Sequence, residues 1–287
     1  FVSMFRSEPT LIKASASAKY TPAANACVLA LDRSAPRAVE FSGSSSLTLS
    51  GCVVASNSSA SDAIRVQGAS TVTAPCMYSV GEAYVSSGVN LTACSGVQTD
   101  EPLTPDPYKD YQIPSTGGRL TYNQKSRTTY TPGVYTNGIS PAGDAQFEPG
   151  LYFITGGEFS AKAGALLTGA GVTFFFLNNT APDLHNQPEL RLSAPTSGPE
   201  AGLLFVGART NSTNNVRING GGTARLTGAL YFPSQQVEYS GNVSGTNGCV
   251  QVVARTVSWT GNASMSVDCS AFGIARNEVG GAARLIR

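Results

Sequence analysis

One short phrase keeps returning along this chain: a polar turn containing Gly with Ser or Asn, then a few alternating apolar residues. It stands as FSGSSSLTLSG around Gly43, VQGASTVTA around Gly68 and VSSGVNLTA around Gly88. It returns late as INGGGTARLTGALYF from Gly220, YSGNVSG around Gly241 and WTGNASMSV around Gly261. Neighbouring copies within each group are 20–25 residues apart. A period of that length built from short strands marks a solenoid, because one unit cannot bury its apolar face alone and must stack on the next. Leucine-rich repeats share the period but need a leucine–asparagine pattern that is missing here. The period predicts an all-β fold, a right-handed parallel β-helix with rungs of about 20–25 residues.

The residue types suit that geometry. Short runs of Leu, Val, Thr, Tyr and Phe alternate with period two, as strands with an inner and an outer side do. Gly and Asn fall where the chain must corner with positive φ. Nothing reads as a long amphipathic helix. The competing architecture is a β-sandwich of many short strands.

The opening residues, 1–20, alternate from Leu11 to Tyr20 and are expected to cap one end of the coil or to pair with a partner strand. Residues 21–287 are expected to form a single β-helix domain with two excursions. The first, at about 99–125, contains TDEPLTPDPYKDYQIPSTGG, too rich in Pro and acidic residues for a buried strand. It separates an N-terminal block of rungs from a longer C-terminal block. The second, NNTAPDLHNQPEL at 178–190, is also expected to leave the body. Between them, TPGVYTNGIS and EPGLYFITGG echo one another, each a Pro-Gly corner feeding a strand.

Six cysteines serve as a ruler. Cys52 lies 25 residues after Cys27, Cys94 lies 18 after Cys76, and Cys269 lies 20 after Cys249. Each step is about one rung. Their contexts are in phase too: CVLA at Cys27, CVVA at Cys52 and CVQVVA at Cys249. In-register residues on adjacent parallel strands are about 4.8 Å apart, and a disulfide needs Cα atoms about 4.4–6.8 Å apart. The expected bridges are Cys27–Cys52, Cys76–Cys94 and Cys249–Cys269, with Cys52–Cys76 as the competitor. Zinc is disfavoured by the lack of a CxxC pair and by a single histidine, His185.

Charged residues make up only 13% of the chain, and Lys+Arg 19 balance Asp+Glu 18. There is no basic field of the kind that holds nucleic acid or anionic lipid. A surface covered by Ser, Thr, Asn and Gly, with an even cysteine count, fits an exported, extracytoplasmic protein. The most apolar stretch, GVTFFFL at 171–177, is far short of the ~20 residues needed to span a bilayer. The chain starts at Phe1, so a signal or membrane anchor upstream is compatible with it.

Chemistry has few candidates. Asp100, Glu101, Asp106 and Asp110 cluster in the Pro-rich excursion and read as a solvated charge run. Glu148 and Glu158 are the carboxylates to consider for glycoside cleavage, which needs two at a fixed separation on a rigid face. His185, flanked by prolines, reads as a loop residue rather than a general base. Gly220–Gly222 precede neither a Lys-Ser/Thr nor a helix, so no phosphate cradle is expected. Sequons at Asn57, Asn90, Asn178, Asn211, Asn242 and Asn262 read first as corners. Arg65, Arg191, Arg209, Arg217, Arg225, Arg255 and Arg276 fall at strand-like places. They are expected to be solubilising, with a row able to hold an anionic polymer as the alternative. No catalytic, cofactor or metal residue is assigned.

The block ACVLALD followed by SGSSSLTLSGCVVASNSSASDAI resembles pilus-assembly proteins of the TadG type, associated with bacterial Flp (tight-adherence, Tad) pili. So do TPGVY, PGLYFITGG, LTGAGVTFFF, LSAPTSGPEAGLLF, LTGALYFPSQQVEYSGN, CVQVVARTVSWTGNASM and the closing ARLIR, over roughly residues 26–287. The resemblance implies an exported envelope protein acting in pilus biogenesis or surface attachment, in the periplasm, pilus or cell surface. It implies an inner-membrane anchor upstream of Phe1, and it brings no catalytic residues. The sequence departs from the fuller pattern, having no membrane span and no von Willebrand-type metal motif.

The expected function is a non-enzymatic structural or adhesive module, a disulfide-braced coil whose partners are pilus or envelope proteins, another copy of itself, or a surface glycan. The alternatives are a polysaccharide-binding or polysaccharide-cleaving β-helix, of tailspike or pectin-lyase-like type, and a self-standing secreted adhesin.

Overall fold

The structure, a computed structural model, describes residues 13–20, 23–86, 88–212, 216–220, 225–244, 249–266, 273–275, 278–281 and 283–286. Every regular element among them is a strand, and they form the expected parallel β-helix. Its rungs have three faces. The first face stacks Gly133–Tyr135, Gly150–Ile154, Val172–Phe176, Leu203–Gly207, 228–232 and 250–254, then Ala24–Ala30, Val53–Ser56 and Met77–Ser79. The second carries Asp183–Leu184, Val216–Gly220, 237–241 and 256–259, then Val39–Phe41, Ile64–Val66 and Ala83–Val85. The third carries Ala145–Phe147, Leu166–Ala170, Glu189–Ser193 and 225–227, and higher up 242–244, Asn262–Ser266, Ser46–Ser50, Thr71–Ala74 and Val89–Leu91.

Stack order is not chain order. The coil rises from Thr121 to Ser266, and the next rung up is built by residues 26–50. The N-terminal block therefore sits on top of the C-terminal one, which explains why the phrases of the two blocks resemble each other. Tyr239, Trp259, Phe41 and Val66 occupy one in-register column, and Val252, Val28 and Val54 another. Like residues pack on like residues because each rung presents the same shape to the next. The glycine corners stack as well. Gly68 has φ +74°, and a Cβ there would lie 2.8 Å from the Gly43 carbonyl oxygen. Only glycine fits both the conformation and the space.

To connect the top of the coil to its base, the chain descends along the outside through residues 99–120. This is the first expected excursion, five residues shorter at its end because Thr121–Tyr122 already pair with Val134 and Tyr135. The second expected excursion does not leave the coil. Asp183–Leu184 pair with Arg217 and Ile218, and Thr180, Leu184 and Leu190 are buried. Prolines at 182 and 188 are tolerated there because the stretch is corner and strand end rather than mid-ladder.

The interior is aromatic in the lower coil, where the rings of Phe147, Tyr152, Phe159, Phe174, Phe176 and Phe205 pack against one another, mostly edge-on or tilted, at centroid spacings of 4.9–6.1 Å. It is aliphatic in the upper coil. First-face strands are buried on both sides, unlike the alternating strands of the third face such as Ser46–Ser50 and Glu189–Ser193. Their outward residues Leu29, Val53, Val253, Tyr231, Phe175 and Phe153 belong to a second apolar cluster, against which Tyr108, Tyr111 and Ile113 of the descending strap pack. A parallel sheet covered on both faces reads as continuous apolar sequence.

Two expected disulfides are present: Cys27–Cys52 with Cα atoms 5.6 Å apart, and Cys76–Cys94 with 5.3 Å. The competing Cys52–Cys76 pairing is thereby excluded. Cys249 is also disulfide-bonded; Cys269, its expected partner, lies outside the described residues. These bridges fit an oxidising compartment. Residues 1–12 also lie outside the described residues. Ser17–Tyr20 pair antiparallel with Ala283–Ile286, and Ala24 and Asn25 with Val279 and Glu278. Among the described residues no helix is long and apolar enough to cross a membrane.

Candidate functional site

The strap is held by polar anchors, one of which, Asp106, belongs to the carboxylate cluster expected to be a solvated charge run. Near the top, the Asn57 side chain donates from Nδ2 to the Thr104 carbonyl and accepts from the Thr104 N–H, both at 2.8 Å. Lower down, the Tyr231 hydroxyl donates to Asp106 Oδ2 at 2.8 Å, and the Arg209 guanidinium lies 3.5 Å from the same carboxylate. Arg209 also donates to the carbonyls of Tyr108 and Lys109 at 2.8 Å. The Tyr108 hydroxyl donates to Gln251 Oε1 at 2.9 Å. Burial, with the Asp106 charge beside it, pushes the Tyr231 hydroxyl far above its usual range, so it stays a donor. Asp106 and Arg209 are thus structural ties rather than free charges. Glu101 is buried too, while Asp100 and Asp110 are exposed, Asp110 paired with Lys109 at 2.8 Å.

The outward column of the second face runs Asp183, Arg217, Glu238, Ser258, Glu40, Arg65 and Tyr84, in register. Its arginines are compensated. Arg217 lies 3.8 Å from Asp183 and 3.7 Å from Glu238, and Arg65 lies 3.3 Å from Asp62 and over the Tyr84 ring at 4.9 Å. Arg255, at the seam between the blocks, pairs with Asp32 at 3.5 Å. These are partly exposed positions of the kind expected of solubilising arginines, each with a carboxylate partner. Arg276 lies outside the described residues.

The third face differs. Its outward column reads Gln146, Thr168, Arg191 and Arg225, each in register with the next, and Ala170, Ser193 and Thr227 run beside it. Together they line an open cleft of about 490 Å3. Arg191 has Glu189 Oε2 at 3.5 Å, and among the described residues Arg225 has no carboxylate within ion-pair distance. Both arginines are exposed. Gly169 keeps this wall flat on its inner side, since a Cβ there would press on Phe147 at 3.0 Å and Leu192 at 3.3 Å. A second cleft, of about 440 Å3, lies where Tyr111 and Pro114 of the strap meet Leu177, Val206 and Arg209.

The carboxylates named for glycoside cleavage are not brought together: Glu148 follows a third-face strand, and Glu158 starts a short strand that pairs with Gly138–Ile139 and, through a Phe159–Pro182 bridge, adjoins the second face. Both are exposed. His185 Nδ1 lies 2.8 Å from Asp183 Oδ1 on the surface, with no nucleophile in the contact. No metal-ligand cluster occurs among the described residues. Of the sequons, Asn57 and Asn211 are buried. Asn211 donates to the Phe176 and Thr180 carbonyls and accepts from the Asn179 N–H. Asn178 has φ +53° and donates to the Thr155 carbonyl. The side chains of Asn242 and Asn262 lie outside the described residues.

Sequence reasoning missed the Tyr108–Gln251 tie and the strap's covering role. The signal was there: one strand per rung, as in VTFFF and LLFVG, is apolar throughout. It also missed that Arg191 and Arg225 stand in register on the third face, Arg225 with no carboxylate within ion-pair distance among the described residues. Comparison with family models, with curated proteins and with solved structures finds no match to this chain.

Proposed function

We propose that this protein is a non-enzymatic, exported structural or adhesive module, serving a bacterial Tad-type pilus system through contacts made by a rigid β-helix. The observation that carries this reading is the construction of the coil itself. Two covalent braces join neighbouring rungs of the upper block, and a long strap seals the first face. The second and third faces remain polar and exposed, as a rod that presents surfaces to partners would have them. The resemblance of its ordered phrases to those of TadG-type proteins is what suggests a link to pili. An extracytoplasmic location, anchored upstream or assembled on the pilus, follows from that link and agrees with the disulfides.

The separation of Glu148 and Glu158 onto different faces favours a scaffold over a glycoside-cleaving enzyme, because cleavage needs two carboxyls converging on one bond. Shearing pili from cells that carry the gene tests the proposal. The protein is expected to follow the sheared pili or the pilus-assembly complex of the envelope. Recovery in the culture medium, unconnected to either, would favour a self-standing adhesin.

A further inference from the structure

The geometry points to the third-face cleft as a binding site for an acidic polysaccharide, with Arg191 and Arg225 gripping its carboxylate or sulfate groups. The two residues are in-register neighbours, so their backbones are about 4.8 Å apart and their like charges face the same solvent. Such a pair is disfavoured unless something negative lies between. Glu189 offsets one of the charges from the edge, at 3.5 Å from Arg191. On the second face each in-register arginine has a carboxylate rung above, below or beside it, whereas among the described residues Arg225 has none within ion-pair distance. A chain with only 13% charged residues has thus placed an unbalanced pair on one wall.

Guanidinium forks match the paired oxygens of a carboxylate or a sulfate, and two of them one rung apart can share one group or hold two successive ones. The rest of the lining is uncharged: Gln146 and Thr168 down the same column, with Ser193 and Thr227 beside it, carry amide and hydroxyl groups, and Pro149, Ala170 and Leu192 supply apolar surface. Those groups suit sugar hydroxyls, which both donate and accept. A column crossing several rungs suits an extended polymer lying along the coil axis. Nucleic acid is the poorer fit, because Phe147, the aromatic in the lining, is buried and offers no face for stacking, and the chain's net charge is only +1. The inference does not depend on the pilus reading, since glycan binding is measured on the purified protein whatever assembly it belongs to.

The test is affinity electrophoresis and calorimetry at physiological salt with a polyuronate, a sulfated galactan, a neutral dextran and a single-stranded DNA oligomer. The proteins are wild type, Arg191→Gln, Arg225→Gln, the double variant and, as control, Arg217→Gln. Wild type is expected to bind one or both acidic polysaccharides, and which one names the anionic group. Each cleft variant should weaken binding about tenfold, the loss of a charged hydrogen-bonding partner, while the control stays within about twofold of wild type. No binding by wild type, retention in the double variant, or DNA binding as tight and as arginine-dependent would each overturn the proposal.

Discussion

Val252 and Val28 are in-register neighbours of one parallel ladder, the first near the end of the chain and the second near its beginning. Val28 in turn pairs with Val54. The coil is therefore a circularly shifted stack, with its seam between residues 250–259 and 26–41. The first prediction concerns that seam. Because Ser17–Tyr20 pair with Ala283–Ile286, linking the two ends with a short flexible segment and opening the chain between Gly117 and Gly118, both exposed in the strap, leaves every rung ladder intact. The permuted protein is expected to fold with the same far-ultraviolet dichroism and the same disulfides. Failure to form the Cys27–Cys52 and Cys76–Cys94 bridges in the permutant would count against the shifted stack.

Gln251 ties the parts of the chain together. Its Oε1 accepts from Tyr108 of the strap, and its Nε2 donates to the carbonyls of Ala26 and Ala275, each at 3.2 Å. Gln251→Leu leaves a buried hydroxyl and two carbonyls without their partner, a loss of about 2–4 kcal/mol. Denaturant unfolding should show it. Hydrogen exchange should rise first in residues 104–113, and an unchanged strap would mean that the tie is not what holds it.

The strap's charged anchor makes a separate prediction. Asp106→Ala removes the acceptor of Tyr231 and the partner of Arg209. Limited proteolysis should then cut between residues 109 and 118 faster than in wild type, while the coil resists. Asp106→Asn, which can still accept from Tyr231, should be intermediate.

Reducing the bridges tests the braces. Cys27–Cys52 closes a loop of 25 residues, and removing it through paired Ser substitutions is expected to cost about 3 kcal/mol in the chain-entropy account. Peptide mapping of the unreduced protein should recover the Cys27–Cys52 and Cys76–Cys94 peptides. A Cys52–Cys76 peptide in their place would contradict the rung register.

Asp32 carries a pH signature at the seam. Partial burial works to raise its pKa, but the N–H groups of Ser34 and Ala35 and the Arg255 guanidinium outweigh it, and the net value falls below 3.8. A depressed folded value means the contribution is fully present above about pH 4 and is lost as pH falls through the lowered value. The pair is partly exposed, so the effect is below ~1 kcal/mol. The stability gap between wild type and Asp32→Asn should be constant at neutral pH, shrink below pH 4 and close in strong acid. A gap that persists there would assign the effect to the turn's hydrogen bonds rather than to charge.

Local features alone carried the repeat length, the glycine corners and the partners of Cys27 and Cys76. Each depends on residues one rung apart, and a rung is short enough for spacing to encode it. The likeness of CVVA, CVLA and CVQVVA even recorded which rungs touch, because equivalent positions in a stack meet the same neighbours. The order of the blocks, the tying of Asp106 to Tyr231 and Arg209 and the ladder role of 178–190 were not legible. They rest on contacts between segments far apart in the chain, for which no local pattern sets the distance. The pairing of Arg191 with Arg225 belongs to the same class. Residue type told that both are cationic; only the register of stacked strands sets them side by side, and it is Arg225, with no carboxylate within ion-pair distance among the described residues, that differs from Arg217.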